Sequence, residues 1–254
     1  HDQAADTFQS LTETIIDPKF DLLLQIQKEN TVTQDQKNYF NRWQGINKAA
    51  AKRITDVETD DFSEFSCYRS IFEQLPQDID LHLANSMAVR YANLLGLTAT
   101  TNIEVYCNRG TSGIDGSNST AVGTAIGGKR PTWLITGDVA FLYDRNAFWH
   151  NHVPHNLNII VFNNQGGGIF RMIKGPSEQS ELEEYFETKQ KKTAEFVALE
   201  NGFQYIPCRN EQEFNTGYKQ FKQPTSDPKI LEIFTSSLTN TAVYKSLLKA
   251  EKKV

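Results

Sequence analysis

The chain is 254 residues long, with a formal net charge of −5 and a sequence pI near 5.6. That length holds one large domain or a domain with an appendage. The acidic balance argues against a nucleic-acid surface, which needs basic stripes, and no segment approaches the roughly 20 apolar residues of a membrane span. Cys67, Cys107 and Cys208 are odd in number and far apart; they give neither a disulfide framework nor paired zinc ligands, and a reducing, cytoplasmic setting fits them best.

The first residues, His1-Asp2-Gln3, show no methionine and no signal peptide, so the chain reads as starting inside a longer protein. Residues 1–60 are polar and helically periodic. Phe20, Leu23, Leu24 and Ile26 fall near one face, and Tyr39, Phe40, Trp43 and Ile46 on another. The charged stretch 56–61 marks a boundary. Residues 1–60 are therefore expected to be the end of a preceding domain plus a helical linker with little capacity to fold alone, and residues 61–254 a second domain.

From Phe62 the pattern changes to alternating strands and helices. Strands are expected at 79–84, 103–107, 132–136, 157–162, 203–207 and 230–234. Helices are expected at 87–95, 119–126, 141–151, 193–201, 211–222 and 241–252. Short apolar runs separated by helices of this length predict an α/β fold, a doubly wound parallel sheet of about six strands with helices on both faces. The stretch 162–192 has no obvious element; a loop this long at a sheet's carboxyl edge suits a lid, with Ile169-Phe170 walling a pocket.

Two segments carry chemistry. Gly137-Asp138-Val139 closes the third strand and Asn163-Asn164-Gln165-Gly166 the fourth, with Asn164 lying 26 residues beyond Asp138. That distance is one crossover helix and one strand, so both tips reach the carboxyl edge where open sheets bind ligands. The Asp138 carboxylate, the Asn164 amide oxygen and the Gly166 carbonyl are hard ligands. With diphosphate oxygens and water they complete an octahedral Mg²⁺ site. Gly137 and Gly166 admit phosphates close to the backbone.

The second segment, Cys107-Asn108-Arg109-Gly110-Thr111-Ser112-Gly113-Ile114-Asp115-Gly116-Ser117, follows a strand and precedes a helix of small residues. Its glycines wrap a ligand, and its hydroxyls and amides favour anions. It is neither G-x-G-x-x-G nor a Walker A loop. Arg109 and Arg90 should face the same edge as Asp138, where a planar guanidinium suits bidentate carboxylate recognition. His150-Asn151-His152 lacks a zinc spacing and reads as a polar helix terminus. No G-x-S-x-G elbow is present, so covalent side-chain catalysis is unsupported.

The Gly-Asp and Asn-Asn pair resembles the thiamine-diphosphate (ThDP) motif of the pyruvate-decarboxylase-like superfamily. A narrower likeness lies in Ala84-Asn85-Ser86-Met87-Ala88-Val89-Arg90, Asn108 to Gly116, Thr136-Gly137-Asp138 with Leu142-Tyr143-Asp144, and Asn163 to Phe170. Together these resemble the 2-succinyl-5-enolpyruvyl-6-hydroxy-3-cyclohexene-1-carboxylate synthases of menaquinone biosynthesis, over residues 62–254 and most densely over 84–170.

The resemblance implies that Asp138, Asn164 and the Gly166 carbonyl coordinate Mg²⁺ or Mn²⁺, and that Asn85, Ser86, Gly137, Val139 and Ala140 surround the diphosphate, with Ser112 on the cofactor side. Ile114 would sit beneath the cofactor and force its bent conformation. Ser86, Arg90, Arg109, Ile169 and Phe170 would line the substrate side. The implied reaction decarboxylates 2-oxoglutarate and adds the resulting carbanion to isochorismate, two carboxylate-bearing substrates that agree with the arginine reading. Replacing either arginine should then weaken substrate use and spare cofactor binding.

Ala84 stands where the family commonly has Gly, and Val139 where it has Gly in the Gly-Asp motif. The superfamily further implies a homo-oligomer, a dimer or dimer of dimers, in which the N-terminal pyrimidine-binding domain of a partner subunit supplies a glutamate. The 254 residues alone are accordingly expected to be inactive. Two alternatives stay open: another ThDP-dependent 2-oxoacid decarboxylase or acetolactate-synthase-like enzyme, and a non-catalytic ligand-binding domain on the same fold.

Overall fold

The computed structural model describes residues 12–15, 21–29, 32–97 and 102–251. The chain divides into two compact units, residues 1–48 and 49–254. Helix α1 spans Asp21–Glu29 and α2 spans Gln34–Thr55. On α2, Tyr39, Phe40, Trp43 and Ile46 are all exposed. Phe20 of the expected apolar face lies outside the described residues.

Six parallel strands make one sheet: β1 (Asp80–Leu83), β2 (Glu104–Cys107), β3 (Thr132–Gly137), β4 (Leu157–Asn163), β5 (Gln204–Cys208) and β6 (Lys229–Phe234), in the order β2-β1-β3-β4-β6-β5. The α/β sheet expected from the apolar runs is the one observed. The side-chain period of two splits each central strand between two cores. Trp133 and Ile135 of β3, Ile160 and Phe162 of β4, and Leu231 and Ile233 of β6 belong to one. Leu134, Ile159, Val161 and Ile230 belong to the other.

Helices α3 (Glu64–Glu73), α4 (Met87–Leu95), α9 (Glu211–Phe221) and α10 (Ser237–Glu251) cover the first core with Phe65, Tyr68, Ile71, Tyr91, Phe214, Tyr218, Val243 and Leu247. Helices α5 (Ser117–Gly127), α6 (Asp138–Tyr143) and α8 (Glu195–Glu200) cover the second with Ala121, Val122, Phe141, Val197 and Ala198. Both faces are therefore dry, which is why the strands read as continuous apolar runs rather than as alternating ones.

Three elements differ from expectation. Helix α3 is not among the expected elements, although Ser63 and Ser66 form a reciprocal capping box and Phe65, Tyr68, Ile71 and Phe72 recur at helical spacing behind it. The helix expected at 141–151 begins earlier, at Asp138, and gives way to a 3₁₀ turn at Arg145–Phe148. Its early end has a use: the Asp144 carboxylate accepts from the Ser119 backbone amide and hydroxyl, both at 2.7 Å, and so caps α5. The stretch 162–192 is folded through α7 (Ile169–Met172), a 3₁₀ turn at Pro176–Glu178 and a π-helical turn at Leu182–Phe186. Lys252 of the last expected helix lies outside the described residues. No helix among the described residues is long and apolar enough to cross a membrane.

Candidate functional site

β1, β3 and β4 are adjacent and parallel, with Leu83 opposite Ile135 and Gly137 opposite Phe162. Neighbouring strands lie about 4.8 Å apart, so the residues leaving their carboxyl ends must converge. β1 is followed in sequence by β2 on its outer side, whereas β3 is followed by β4 on the other. The crevice between β1 and β3 is thus a switch point of the sheet. A cavity of about 650 Å³ opens there, lined by Asn85, Ser86, Arg90, Arg109, Ser112, Ile114, Gly137, Asp138, Val139, Ala140, Asn164, Gly166, Ile169 and Phe170. Every residue singled out from the sequence borders this one space.

Asp138 is the first residue of α6, where the helix dipole favours an acid. It is buried, and burial pushes its carboxyl up to about 6 against donation from the Gln190 side chain and from the Val139 and Gly166 amides. Asn164 turns its Nδ2 to Glu64 Oε1 at 2.7 Å, while its Oδ1 is buried with no partner. The Gly166 carbonyl accepts from the Gly168 amide at 3.0 Å and keeps a second lone pair. A Cβ on Gly166 would lie 2.5 Å from the Glu187 carbonyl oxygen, so only glycine fits. At Gly137 a Cβ would meet nothing within 4 Å, so glycine there leaves the cavity open against the backbone.

An orphaned buried amide oxygen, a buried carboxylate and a carbonyl with spare capacity form a set of hard oxygen donors. A buried donor or acceptor left unmet costs about 1–3 kcal/mol. A hard divalent cation would satisfy the orphan and neutralise the acid together. The donor set fits Mg²⁺.

On the opposite wall, Arg109 donates to Asn85 Oδ1 at 2.5 Å and to Ser112 Oγ at 3.3 Å, and Asn85 donates in turn to the Ser112 carbonyl. Arg90 stands differently, its Nε buried with no partner. The two arginines that look equivalent in sequence are therefore unlike: one braces the β1 and β2 loops together, and the other brings an unsatisfied donor to the cavity. Among the described residues, five non-glycine residues have positive φ. Ser86, Ser112 and Thr188 of these line the cavity, and Gln165 sits between Asn164 and Gly166. Backbone strain is concentrated where a ligand would sit.

Residues 90–233, more than half of the chain, match the family model described as thiamine pyrophosphate enzyme, C-terminal TPP binding domain. The chain belongs to this family. Among curated proteins it is 45% identical over 246 residues to the 2-succinyl-5-enolpyruvyl-6-hydroxy-3-cyclohexene-1-carboxylate synthase of Cytophaga hutchinsonii, covering 96% of this chain and 43% of that protein. Enzymes of the same name from Flavobacterium johnsoniae and Flavobacterium psychrophilum are 37% and 40% identical, each over 97% of this chain and 44% of the relative. The chain spans less than half the length of these relatives.

This TPP-binding domain also draws cavity residues from places that motif spacing does not reach. Glu64 and Tyr68 come from α3, and Tyr185, Phe186 and Thr188 from the far end of the 162–192 stretch. Tyr68 stacks on Phe162 with ring centroids 4.0 Å apart. Glu64 is buried, and burial lifts its carboxyl to about 7. A glutamate in a polar-looking segment is ordinarily a surface charge; the signal that could have exposed it is the capping box, which makes Glu64 the first residue of a helix with a buried face. The segment around Thr188 is tied down by Glu187, which takes Arg171 on both oxygens at 2.9 and 2.6 Å, receives the Ser237 hydroxyl at 2.7 Å, and offers its carbonyl to Gly167 at 2.7 Å.

Proposed function

We propose that the cavity holds thiamine diphosphate through Mg²⁺, with Asp138, Asn164 and the Gly166 carbonyl as the protein ligands and residues 61–254 as the binding domain. The observation that carries this is the unpartnered buried oxygen of Asn164 beside the buried carboxylate of Asp138. Asn85, Ser86, Gly137, Val139 and Ala140 border the diphosphate, Ser112 lies on the cofactor side, and Ile114 supports the thiazolium. When bound, the cofactor supplies an electron sink that accepts the carbanion left by decarboxylation.

The protein at its full natural length then acts as a carboligase that decarboxylates 2-oxoglutarate and joins the resulting four-carbon unit to isochorismate. Support comes from the shared name of its relatives and from the chemistry of the cavity's far wall. Both substrates bring carboxylates. Arg90 Nε, buried without a partner, is a donor awaiting one. Ser86 sits beside it, and Ile169 and Phe170 keep water from the reacting carbon. The family's glutamate-bearing domain from a partner subunit completes the site in a cytoplasmic homo-oligomer.

Calorimetric titration with ThDP tests the reading on the protein at full natural length. Binding is expected with Mg²⁺ and not in its absence, and Asp138→Ala is expected to abolish it. Metal-independent binding of equal strength, or an Asp138→Ala variant that still binds, would remove the proposed ligand set.

A further inference from the structure

We propose that Glu64 is a positioning residue that decides which atom of the Asn164 amide faces the metal, an inference that rests on the ThDP–Mg²⁺ reading above. The end of an asparagine side chain carries two atoms of nearly equal size and opposite sense. The oxygen can ligate a cation and the NH₂ group cannot. A site that uses an asparagine as ligand must therefore fix its rotation, and the strand end that carries Asn164 does not do so by itself.

Glu64 supplies the missing constraint. Its Oε1 accepts from Asn164 Nδ2 at 2.7 Å, which leaves Oδ1 buried with no partner. Turning the amide over would set Oδ1 against Glu64 Oε1 at that same separation, acceptor against acceptor, and forfeit the hydrogen bond. Gly168 beside it must stay a glycine, because a Cβ there would stand 2.9 Å from Asn164 Nδ2 and push the amide off Glu64.

Glu64 is itself held rigidly. It opens α3 behind the Ser63 cap, its amide donates to Asn240 Oδ1 at 2.9 Å, and the next residue, Phe65, is fully buried. A carboxylate buried a hundred positions away in sequence thus acts through Asn164, as partners beyond the direct ligands do in metal sites generally. Its own second oxygen, Oε2, has no partner.

The test measures Mg²⁺ affinity at saturating ThDP, by calorimetry, on the protein at full natural length. Glu64→Ala is expected to raise the Mg²⁺ dissociation constant about tenfold or more. Glu64→Gln, whose own amide can turn over together with that of Asn164 and so favours neither orientation, is expected to fall between wild type and Glu64→Ala. The deciding arm repeats Glu64→Ala in an Asn164→Asp background. There both outer atoms at position 164 are oxygens, orientation ceases to matter, and removing Glu64 takes away one of two facing acids, so affinity is expected to hold or rise. A general structural role for Glu64 would instead give the same loss in both backgrounds. That result would overturn the proposal, as would unchanged affinity in Glu64→Ala. If Glu64→Ala does not fold in a thermal melt, Glu64→Met keeps the volume without the acceptor and takes its place in both arms. Absence of Mg²⁺-dependent ThDP binding in the wild type would be a different outcome, striking down the site reading itself and the proposal with it.

Discussion

Gln190 donates its side-chain amide to Asp138 Oδ2 at 2.7 Å, joining the far end of the 162–192 stretch to the acid that opens α6. The same segment is anchored at Gln190 N, which bonds the Gln165 carbonyl at 3.0 Å. This segment, the strap, is therefore fastened to the proposed metal ligand Asp138 and to Gln165, which lies between the other two. Gln190→Ala should loosen it. Limited trypsin digestion without cofactor should cut faster at Lys189, Lys191 and Lys192 than in wild type. Equal cleavage rates would show that Glu187 and Arg171 hold the strap alone.

Gly166 is a sharper test of the same packing. Its φ of 156° and the 2.5 Å that would separate an added Cβ from the Glu187 carbonyl oxygen leave no space for alanine. Gly166→Ala is expected to cost about 2 kcal/mol or more, read by urea denaturation, and to weaken ThDP binding together with it. A stable variant with full binding would mean that the strap yields freely.

The arginines should separate. Arg90 lines the cavity, and its buried Nε has no partner, so Arg90→Ala is expected to raise the KM for 2-oxoacid or isochorismate about tenfold or more with ThDP affinity unchanged. Arg109 braces Asn85 and Ser112, so Arg109→Ala is expected to weaken both substrate use and ThDP binding. Matching effects from the two variants in steady-state kinetics and calorimetry would contradict the distinction.

Glu232 is fully buried and accepts from the Tyr205 hydroxyl at 2.5 Å, Asn163 Nδ2 at 2.7 Å and the Ala194 amide at 3.0 Å. Removing the carboxylate strands three donors in the interior. Glu232→Ala should lose about 3 kcal/mol or more of stability, and a loss below about 1 kcal/mol in chemical denaturation would contradict the network's role.

His82 gives a dependence on pH. It is buried on β1, stacked on Tyr106 with ring centroids 4.9 Å apart, and neither ring nitrogen has a partner. Burial lowers its pKa below the ordinary 6.5, opposed by Asp80. The unfolded chain therefore takes up the proton first. Stability from this group is complete above 6.5 and is lost as pH falls from there through the depressed folded value. His82→Phe should flatten that acid loss relative to wild type when melting temperature is followed downward from about pH 7.5. Parallel curves would show that His82 does not contribute.

The sheet is legible in the sequence because its inner strands are buried on both faces, although the edge strand β2 is exposed. Each strand is a short apolar run, and each observed strand overlaps its expected span closely. The cavity's strand-end residues are legible for the same reason, since a parallel sheet carries every carboxyl end to one edge. Glu64 is harder to read, because its segment follows the acidic stretch 56–61 and a glutamate there resembles solvated surface; beyond the Ser63–Ser66 capping box, its burial shows in the contact with Asn164, remote in sequence. The 162–192 stretch is opaque because contacts with Arg171 and Ser237 fold it, rather than any period of its own. The difference between Arg90 and Arg109 is equally hidden, since it lies in which one finds Asn85.

One ion gripped by three protein oxygens is a geometry that an anomalous scatterer reports atom by atom. The protein at full natural length would be crystallised with ThDP and Mn²⁺ in place of Mg²⁺, and the manganese located from its anomalous difference peak. A single peak is expected at about 2 Å from an Asp138 carboxylate oxygen, Asn164 Oδ1 and the Gly166 carbonyl oxygen. A peak bound elsewhere, or one that leaves Asn164 Oδ1 uncoordinated, would contradict that geometry.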